Sequence, residues 1–292
     1  MSDDDALDPR IHPYRHDVAA DFLKGKVVSE AFVPGREQWV AEPHAAVMTA
    51  ADIGQLQASE LLFGETFFVY DEKDGWSWGQ CGHDGYVGYV LSESLTRIRT
   101  PLTHWVTAAR SLVFPDPKGE YPATTSLSLM AKVTVLDEKD EFVHLASGGW
   151  LFKRHLAPLG ETRPDFIANA ETFTRVPYLW GGRGGLGIDC SGLIQVALTA
   201  AGIAVPRDSD MQAEEIGEDV PVPDDPAALE RGDILFFPGH VGIYVGDGQF
   251  LHASSFEMMV ATHPLTDVLG RFRERIDAGI SRVRRVKVFE GD

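Results

Sequence analysis

In the first half of the chain, short runs of alternating apolar and polar residues are separated by turn-forming residues. Residues 66–70 and 76–78 are rich in aromatic side chains and are joined by an acidic segment, and residues 83–90 alternate in the same way. Such runs are typical of short strands connected by hairpins. They predict a small β-barrel over residues 26–98.

A second run with the same order of features follows. The acidic turn and aromatic strand of residues 69–78 align with those of residues 135–145. This alignment predicts a second barrel over residues 99–158 that repeats the first. The alternative is that both runs belong to one larger all-β domain.

Two segments in this half have a helix-like spacing of apolar residues. Residues 52–61 are one of them, and residues 16–26 predict a short helix within an N-terminal tail that spans residues 1–25. The acidic start of this tail is expected to be mobile.

From about residue 160 the hydrophobic period changes. A helix is predicted to end before Pro177, and residues 190–201 carry apolar side chains at the spacing of an amphipathic helix. Helices followed by strands indicate an α+β domain over residues 160–292. The other predicted elements are a short helix capped by Ser209, strands over 234–237, 241–245 and 249–253 with a turn at 246–248, a helix over 265–276 and a strand over 281–289.

The helix over residues 190–201 begins with a cysteine. Asp189 is placed to cap its N-terminus, and Gly202 is placed to end it. Unpaired backbone N–H groups and the helix dipole favour a thiolate in the first turn, and the thiolate is the nucleophilic form of Cys190. A single cysteine at such a place is more often a buried small residue, so other residues must decide its role.

Composition limits the partners and the compartment. The net charge is −18 with a sequence pI near 4.9, which argues against nucleic acid and anionic membranes as partners. The two cysteines are too few for a disulfide framework. The acidic, polar start has no signal-peptide pattern, and no apolar run reaches the roughly 18 residues of a membrane span. These features predict a cytoplasmic protein with reduced thiols, and nothing in the sequence calls for a cofactor or metal.

A base for Cys190 must come from the histidines of the same domain, which are His240, His252 and His263. His240 leads one strand of the predicted hairpin and His252 ends the other. With a three-residue loop or an equivalent bulge, Gly242 pairs with His252 and both histidines point to one face. A two-residue loop alone puts them on opposite faces. We predict the shared face, with His240 as general base and His252 as the group that orients it.

Several segments, in this order along the chain, resemble the NlpC-type cysteine peptidases, the papain-like bacterial enzymes of peptidoglycan peptides. The N-terminal barrels resemble bacterial SH3-like domains. The resemblance implies a papain-like α+β catalytic domain preceded by two small all-β SH3-like barrels. The arrangement is similar to that of γ-D-glutamyl-L-diamino acid endopeptidases of the dipeptidyl-peptidase VI type, which cleave after γ-D-Glu in peptides with a free N-terminal L-Ala. The matching segments are residues 177–182, 189–193, 206–212, 231–237 and 239–254.

The resemblance also implies roles for single residues of the catalytic domain. Cys190 corresponds to the nucleophile, His240 to the general base and His252 to the third catalytic member. Tyr178 corresponds to a tyrosine beside the oxyanion hole. The positions that correspond to the lining of the substrate groove are Asp189, Ser191, Asp208 and Ser209, with Asp208 as the candidate for binding the free amine.

Two further positions of this kind lie in the first barrel. Tyr86 corresponds to a tyrosine that closes the amine-binding end of the groove. Glu65 is expected either to join it or to be a solvated loop charge, and Glu60 is an equal alternative. A barrel wall across the groove would admit only short peptides such as L-Ala-γ-D-Glu-diaminopimelate, which favours recycling of muropeptides over remodelling of the wall.

Three other interpretations are compatible with these residues. An amidase or acyltransferase with the same catalytic residues would have an open, apolar groove. A non-catalytic module that binds cell-wall peptides is disfavoured by the intact catalytic set. Zinc held by Cys190, His240 and His252 is also conceivable, although a cysteine at a helix start already has an explanation. Cys81 lies in a strand-rich segment and is expected to be structural.

Overall fold

The computed structural model describes residues 7–287, so the acidic start predicted to be mobile lies outside the described residues. The chain divides into two compact units, with the boundary between Leu159 and Gly160. The strands of the first part of unit 1 are β1 (Val18–Ala20), β2 (Ala31–Val33), β3 (Arg36–Val40), β4 (His44–Met48), β5 (Gln57–Leu62), β6 (Thr66–Lys73), β7 (Trp76–Cys81), β8 (Val87–Leu91) and β9 (Leu95–Thr96). The strands of its second part are β10 (His104–Val106), β11 (Arg110–Phe114), β12 (Thr125–Ser128), β13 (Lys132–Val133), β14 (Val135–Lys139), β15 (Phe142–Leu145), β16 (Trp150–Phe152) and β17 (Leu156–Pro158).

The first part of unit 1 is built on a seven-stranded sheet with the order β5-β4-β8-β7-β6-β3-β9. Its second part contains a five-stranded sheet, β12-β11-β16-β15-β14, and a three-stranded sheet, β13-β10-β17. Each part has its own cluster of buried apolar side chains, and Leu62 of β5 belongs to the second cluster. The fold of unit 1 is therefore all-β, with strands of two to eight residues.

The two acidic hairpins of unit 1 have the same backbone features. The β6–β7 pairing shifts register between Val69 and Asp71, and the β14–β15 pairing shifts between Val135 and Asp137. Asp74 in the first turn and Asp140 in the second both adopt a positive φ. Aspartate tolerates this conformation better than most residues with a side chain. The alignment of the two segments in sequence thus corresponds to a repeated bulge-and-turn geometry.

Both helices predicted in unit 1 were wrong. Residues 57–62 form strand β5, which pairs antiparallel with β4 along its length. Residues 18–20 form β1, all three buried, and only a single 3-10 turn over Asp21–Leu23 follows. In both segments, strand pairing and burial override a weak local preference for helix.

Unit 2 contains four α-helices and eight strands within the described residues. They are α1 (Phe166–Glu171), β18 (Arg183–Gly184), β19 (Gly187–Ile188), α2 (Cys190–Ala200), α3 (Ser209–Glu215), β20 (Glu218–Val220), β21 (Ile234–Phe237), β22 (His240–Gly246), β23 (Gln249–Ser254), β24 (Met259–Pro264), α4 (Leu265–Ile276) and β25 (Arg282–Arg285).

A six-stranded sheet with the order β20-β25-β21-β22-β23-β24 forms the centre of unit 2. Helix α2 packs against β22 and β23, and ten of its eleven residues are buried. Leu265, Val268 and Leu269 of α4 pack with apolar side chains of β21 and β23. The sheet and α2 together place the start of that helix beside the hairpin that carries His240 and His252.

Most predicted elements of unit 2 are present, with several corrections. Helix α1 ends before Pro177 as predicted; its last residue is Glu171, because residues 172–175 form turns and Arg175 adopts a positive φ. Asp208 occupies the N-cap position of α3, and Ser209 is its first helical residue rather than its cap. Strands β20 and β24 were not predicted. Strand β20 has only three residues and β24 is half exposed, so the alternation of apolar and polar residues is weak in both.

Candidate active site

The loop before α2 is organised by Asp189. Its Oδ1 accepts a hydrogen bond from the Gly192 N–H (2.7 Å), as predicted for the N-cap, while Oδ2 accepts from the Gly181 N–H (2.8 Å). One carboxylate therefore ties the Gly-rich loop to the first turn of α2. The other end of the helix is also as predicted, since Gly202 has φ +85° directly after the last turn.

A buried arginine completes this loop. Arg207 is 2% exposed and donates to both carboxylate oxygens of Asp189, at 3.1 and 2.6 Å, and to Ser191 Oγ at 2.7 Å. Such a bidentate pair fixes both partners in one geometry. Sequence reasoning missed Arg207, although it lies between Pro206 and Asp208 in a segment that matched the family.

Cys190 is the first residue of α2, and its side chain is buried. Burial raises the pKa of its thiol to about 12, and the charge of Asp189 acts in the same direction. The backbone N–H groups of Val241 and Ser191 and the charge of Arg207 lower the pKa by less. The prediction that the helix N-terminus favours a resting thiolate is therefore wrong, because desolvation outweighs the backbone dipoles. Cys190 is a neutral thiol that needs a base.

The two predicted catalytic histidines share one face of the sheet. Ile243 pairs with Leu251 and Tyr244 with Phe250, while Gly246 pairs with Gln249. The turn between Gly246 and Gln249 has only two residues, but the register shift between Tyr244 and Gly246 is a bulge that adds one residue to the first strand. The bulge therefore gives the same pairing as a three-residue loop. This is the alternative route to the predicted register. His240 Nε2 and His252 Nδ1 lie 2.7 Å apart.

The chain of contacts continues beyond His252. His252 Nε2 lies 3.0 Å from Nδ1 of His263 on β24, and His263 Nε2 lies 2.8 Å from Oε1 of Glu257. Sequence reasoning gave neither His263 nor Glu257 a role. The sequence signal for His263 was the alternation of residues 259–263, which places it on the same face as Ala261. In the structure, Ala261 is the residue that pairs with His252.

Burial also lowers the pKa values of His240 and His252. It lowers the pKa of His240 to about 4, while the charge of Asp189 acts in the opposite direction. The pKa of His252 is lowered further, first by burial and then by the charges of His240, His263 and Arg271. Both imidazoles are therefore neutral near pH 7, and a neutral His240 is able to accept a proton.

Tyr178 lies beside the thiol. Burial raises the pKa of its hydroxyl, and the charges of Cys190 and Asp189 raise it further. Its backbone N–H donates to the carbonyl of Met258 at 2.8 Å. The phenol is therefore protonated and held near Cys190 by the turn between β23 and β24, where it is able to donate a hydrogen bond.

The other residues predicted to line the groove divide into two pairs. Asp189 and Ser191 are buried and are hydrogen-bonded to Arg207. Asp208 and Ser209 are half-buried at the start of α3. The first pair holds the loop that carries Cys190, whereas a role in substrate binding remains a prediction for all four.

The residues predicted in the first barrel lie in unit 1. Tyr86 is buried within the apolar cluster of the seven-stranded sheet. Glu65 is 3% exposed, accepts from the Leu62 N–H at 2.9 Å and lies 3.6 Å from His83 Nδ1. Glu60 is equally buried and lies 3.4 Å from His44 Nδ1. The interpretation of either glutamate as a solvated loop charge is therefore wrong, and the roles of Tyr86 and Glu65 in substrate binding stay predictions.

The described residues were also compared with what a zinc site and a membrane-spanning helix require. Both ring nitrogens of His252 face other imidazoles, so neither is available to a zinc ion. Over residues 7–287 no group of three or more histidine, cysteine or acidic side chains is arranged to hold a metal ion. In the same range, none of the helices has the length and hydrophobicity to cross a membrane.

Comparison with known proteins decides the family. Residues 175–269 match the NlpC/P60 family, and residues 47–95 match the bacterial dipeptidyl-peptidase SH3 domain. A Bacillus subtilis protein named gamma-D-glutamyl-L-lysine dipeptidyl-peptidase is 30% identical over 237 residues, which cover 72% of this chain and 77% of that protein. The chain belongs to the NlpC/P60 family. A Lysinibacillus sphaericus protein named dipeptidyl-peptidase 6 is 28% identical over 67% of this chain and 79% of its own length.

The fold of this NlpC/P60 protein has a counterpart among solved structures. An NlpC/P60 family protein from Bacillus cereus superposes with a TM-score of 0.70 at 22% identity, over 86% of this chain and 99% of that one. The predicted fold class is confirmed: a papain-like NlpC/P60 domain follows an N-terminal SH3 domain. Membership of this family of cell-wall peptidases makes the chain a peptidase.

Proposed function

We propose that this NlpC/P60 protein is a cysteine peptidase that hydrolyses the bond between γ-D-Glu and the diamino acid in short peptidoglycan peptides with a free N-terminal L-Ala. The observation that carries the proposal is the hydrogen-bonded pair of His240 and His252, 2.7 Å apart, on the strands that pack against the helix begun by Cys190. The Cys190 thiol accepts a hydrogen bond from the backbone N–H of Val241, the residue that follows His240. A neutral thiol with a neutral imidazole as its base is the resting state that a base-activated nucleophile requires.

The chemistry follows from the roles of these groups. Cys190 Sγ attacks the γ-carbonyl carbon while its proton passes to His240 Nδ1, the ring nitrogen that does not face His252. His240 then protonates the amine of the leaving diamino acid, and L-Ala-γ-D-Glu stays on Cys190 as a thioester. Water hydrolyses the thioester with His240 again acting as base. The first-turn N–H of Cys190 and the Tyr178 hydroxyl stabilise the oxyanion.

The choice of substrate is supported by two kinds of observation. Relatives that align over most of the chain are named as gamma-D-glutamyl-L-lysine dipeptidyl-peptidase and dipeptidyl-peptidase 6. Asp208 is half-buried at the start of α3, next in sequence to the arginine that holds the Cys190 loop. Because a substrate ammonium that leaves water needs a carboxylate partner, we assign the free L-Ala amine to Asp208.

We also propose that the enzyme acts in the cytoplasm, in the recycling of muropeptides. A requirement for a free amine restricts the enzyme to peptides whose L-Ala is no longer acylated. Such peptides are already trimmed, so they belong to recycling rather than to remodelling of wall strands. Fractionation of the producing cells tests the location, and recovery of the protein outside the cytoplasmic fraction contradicts it.

The substrate assignment is tested with L-Ala-γ-D-Glu-diaminopimelate and its N-acetylated analogue. We expect cleavage of the free peptide and little turnover of the acetylated one. Asp208→Asn is expected to lower kcat/KM for the free peptide by about tenfold or more, the size of one lost charge-assisted hydrogen bond. Asp210→Asn, a change in the same turn of α3, serves as the matched control. Equal turnover of the two peptides contradicts the assignment of the amine.

A further inference from the structure

The catalytic histidine pair continues into two residues that the proposed reaction does not itself require. His263 lies on β24, and Glu257 lies in the turn between β23 and β24. The four side chains form one series, with separations of 2.7 Å from His240 to His252, 3.0 Å from His252 to His263 and 2.8 Å from His263 to Glu257.

The direction of the hydrogen bonds in this series is set at its outer end. A carboxylate only accepts hydrogen bonds, so His263 Nε2 must carry the proton that faces Glu257. With one proton on each imidazole, His263 Nδ1 is then an acceptor, and His252 Nε2–H donates to it. His252 Nδ1 is an acceptor in turn, and His240 Nε2–H donates to it. His240 Nδ1 is therefore left with its lone pair, the form that a base for Cys190 needs.

Without the carboxylate, hydrogen bonds donated in the opposite direction along the three imidazoles satisfy the ring nitrogens equally well. Each neutral imidazole has one donor and one acceptor nitrogen, so all three are able to exchange tautomers together. In that arrangement His240 Nδ1 carries a proton and cannot accept one from the thiol. We propose that Glu257 and His263 are positioning residues, which hold His240 and His252 in the tautomers required for proton transfer from Cys190. The inference rests on the proposed function.

The turn that carries Glu257 is itself held in place. The Glu257 N–H donates to Ser254 Oγ at 3.3 Å, and Met258, which has φ +55°, accepts from the Tyr178 N–H through its carbonyl at 2.8 Å. The His263 side chain is only 13% exposed, whereas that of Glu257 is 38% exposed. The carboxylate thus meets solvent on one side and the buried series on the other.

Other charges near the series come from two neighbouring elements. Asp189, before α2, favours a protonated His240, and Arg271 of α4 disfavours a protonated His252. Arg271 also stacks on Phe256, the residue before Glu257. Neither charge selects a tautomer of a neutral imidazole through a hydrogen bond, so that selection falls to Glu257 through His263.

The test uses Glu257→Ala and Glu257→Gln, because the amide of glutamine donates as well as accepts and therefore no longer fixes the direction of the hydrogen bonds. Glu274→Ala, an exposed glutamate on α4, is the matched control. His263→Phe removes the intermediate imidazole, and circular dichroism checks that each variant folds. The primary readout is alkylation of Cys190 by iodoacetamide at neutral pH, in which sulfur displaces iodide and the thiol proton passes to His240.

We expect Glu257→Ala to slow both alkylation and kcat/KM by about tenfold, and His263→Phe to slow them by about a hundredfold, the range known for residues that orient metal-bound histidines. KM should stay constant, Glu257→Gln should show much of the same loss as Glu257→Ala, and Glu274→Ala should match the wild type. The ¹⁵N shifts of the His252 ring should show a single Nε2–H tautomer in the wild type and a mixture in Glu257→Ala.

Folded Glu257→Ala and His263→Phe proteins with wild-type alkylation rates and an unchanged His252 tautomer would overturn the inference. Rapid alkylation of wild-type Cys190 without peptide cleavage refutes the proposed substrate alone, and the alkylation rates of the variants then still decide the inference. A wild-type Cys190 that is no more reactive than the buried Cys81 refutes both.

Discussion

At the scale of single residues, the reactive group is a buried thiol whose acidity is set by its surroundings. Burial raises the pKa of Cys190 to about 12 and lowers that of His240 to about 4, so both groups are neutral over most of the accessible pH range. Each pKa unit corresponds to about 1.4 kcal/mol, which makes a resting thiolate–imidazolium pair costly. The ion pair must therefore form as the substrate binds and the thiol attacks.

This balance predicts the pH dependence of activity. His240 must be neutral to act as base, and its pKa lies near 4. The acid limb of kcat/KM should therefore lie near pH 4 instead of near the ordinary histidine value of about 6.5. No alkaline loss from thiol ionisation is expected below about pH 9, because the pKa of Cys190 is about 12.

The measurement is kcat/KM for the tripeptide across this pH range, with circular dichroism as a check on folding at the acid end. An acid limb between about pH 6 and 7 would mean that His240 is solvated like a free imidazole, which contradicts the burial that the structure shows.

At the scale of elements, the β22–β23 hairpin decides whether His240 and His252 meet. The bulge between Tyr244 and Gly246 sets the register, and Gly242 then lies opposite His252. A Cβ atom at position 242 would lie 2.4 Å from Phe250 Cζ and 2.8 Å from His252 Cβ. The absence of a side chain at Gly242 is thus a condition for the two strands to approach as they do.

Gly242→Ala should therefore separate the histidines. We expect it to destabilise the protein by about 1–3 kcal/mol, the cost of overpacking a core. It should also lower kcat/KM by at least about tenfold, because the 2.7 Å contact between His240 and His252 is opened. Urea unfolding and steady-state kinetics measure the two effects.

Gly270→Ala is the matched control for this substitution. It lies within α4, where an added Cβ meets no atom within 4 Å, so it should stabilise the helix by about 0.5–1 kcal/mol and leave activity unchanged. Equal behaviour of the two variants would show that the space at Gly242 has no part in placing His252.

At the scale of the whole molecule, local patterns predicted more of the fold than of the site. The start of α2 at Cys190, its cap at Asp189 and the shared face of His240 and His252 follow from short-range signals: helix periodicity, capping chemistry and strand alternation. Arg207 was not predictable in this way, because its partner Asp189 is distant in sequence. The pKa of Cys190 was predicted to be lowered, whereas burial raises it. Burial depends on the packing of other elements around the thiol, which the local sequence does not reveal.

Contacts between residues distant in sequence also explain the wrong or missing predictions in unit 1 and at His263. Residues 52–61 have the spacing of a helix, and only pairing with β4 makes residues 57–62 a strand. Glu60 and Glu65 have the sequence context of solvated charges, yet Glu60 is buried in β5 and Glu65 is buried in the turn between β5 and β6. His263 lies on a half-exposed strand with weak alternation, so its contact with His252 depends on a sheet edge that the sequence did not reveal.

Low pH should also reduce the free energy of unfolding of the protein. In the folded state burial lowers the pKa of His240 to about 4, and that of His252 is lowered as well, whereas unfolding returns both to about 6.5. Above about pH 6.5 neither state is protonated, so the histidines contribute no pH dependence. Between about pH 6.5 and 4 the unfolded state binds more protons, so stability falls as the pH falls, by at most about 1.4 kcal/mol per pH unit for each histidine.

Urea unfolding at several pH values measures this loss. The double variant His240→Gln/His252→Gln should lose less stability than the wild type between about pH 6.5 and 4.5, a range above the pKa values of most carboxylates. Parallel losses in the two proteins would show that the buried histidines are not its source.

The central claim is that Cys190 carries the dipeptide during hydrolysis, and rapid acid quenching with peptide mass spectrometry tests it most directly. After mixing with L-Ala-γ-D-Glu-diaminopimelate, we predict an L-Ala-γ-D-Glu adduct on the proteolytic peptide that contains Cys190. It should be absent from the peptide that contains Cys81, and Cys190→Ala should abolish both adduct and turnover. Turnover that persists in Cys190→Ala, or release of the dipeptide with the adduct on another residue, would contradict the account.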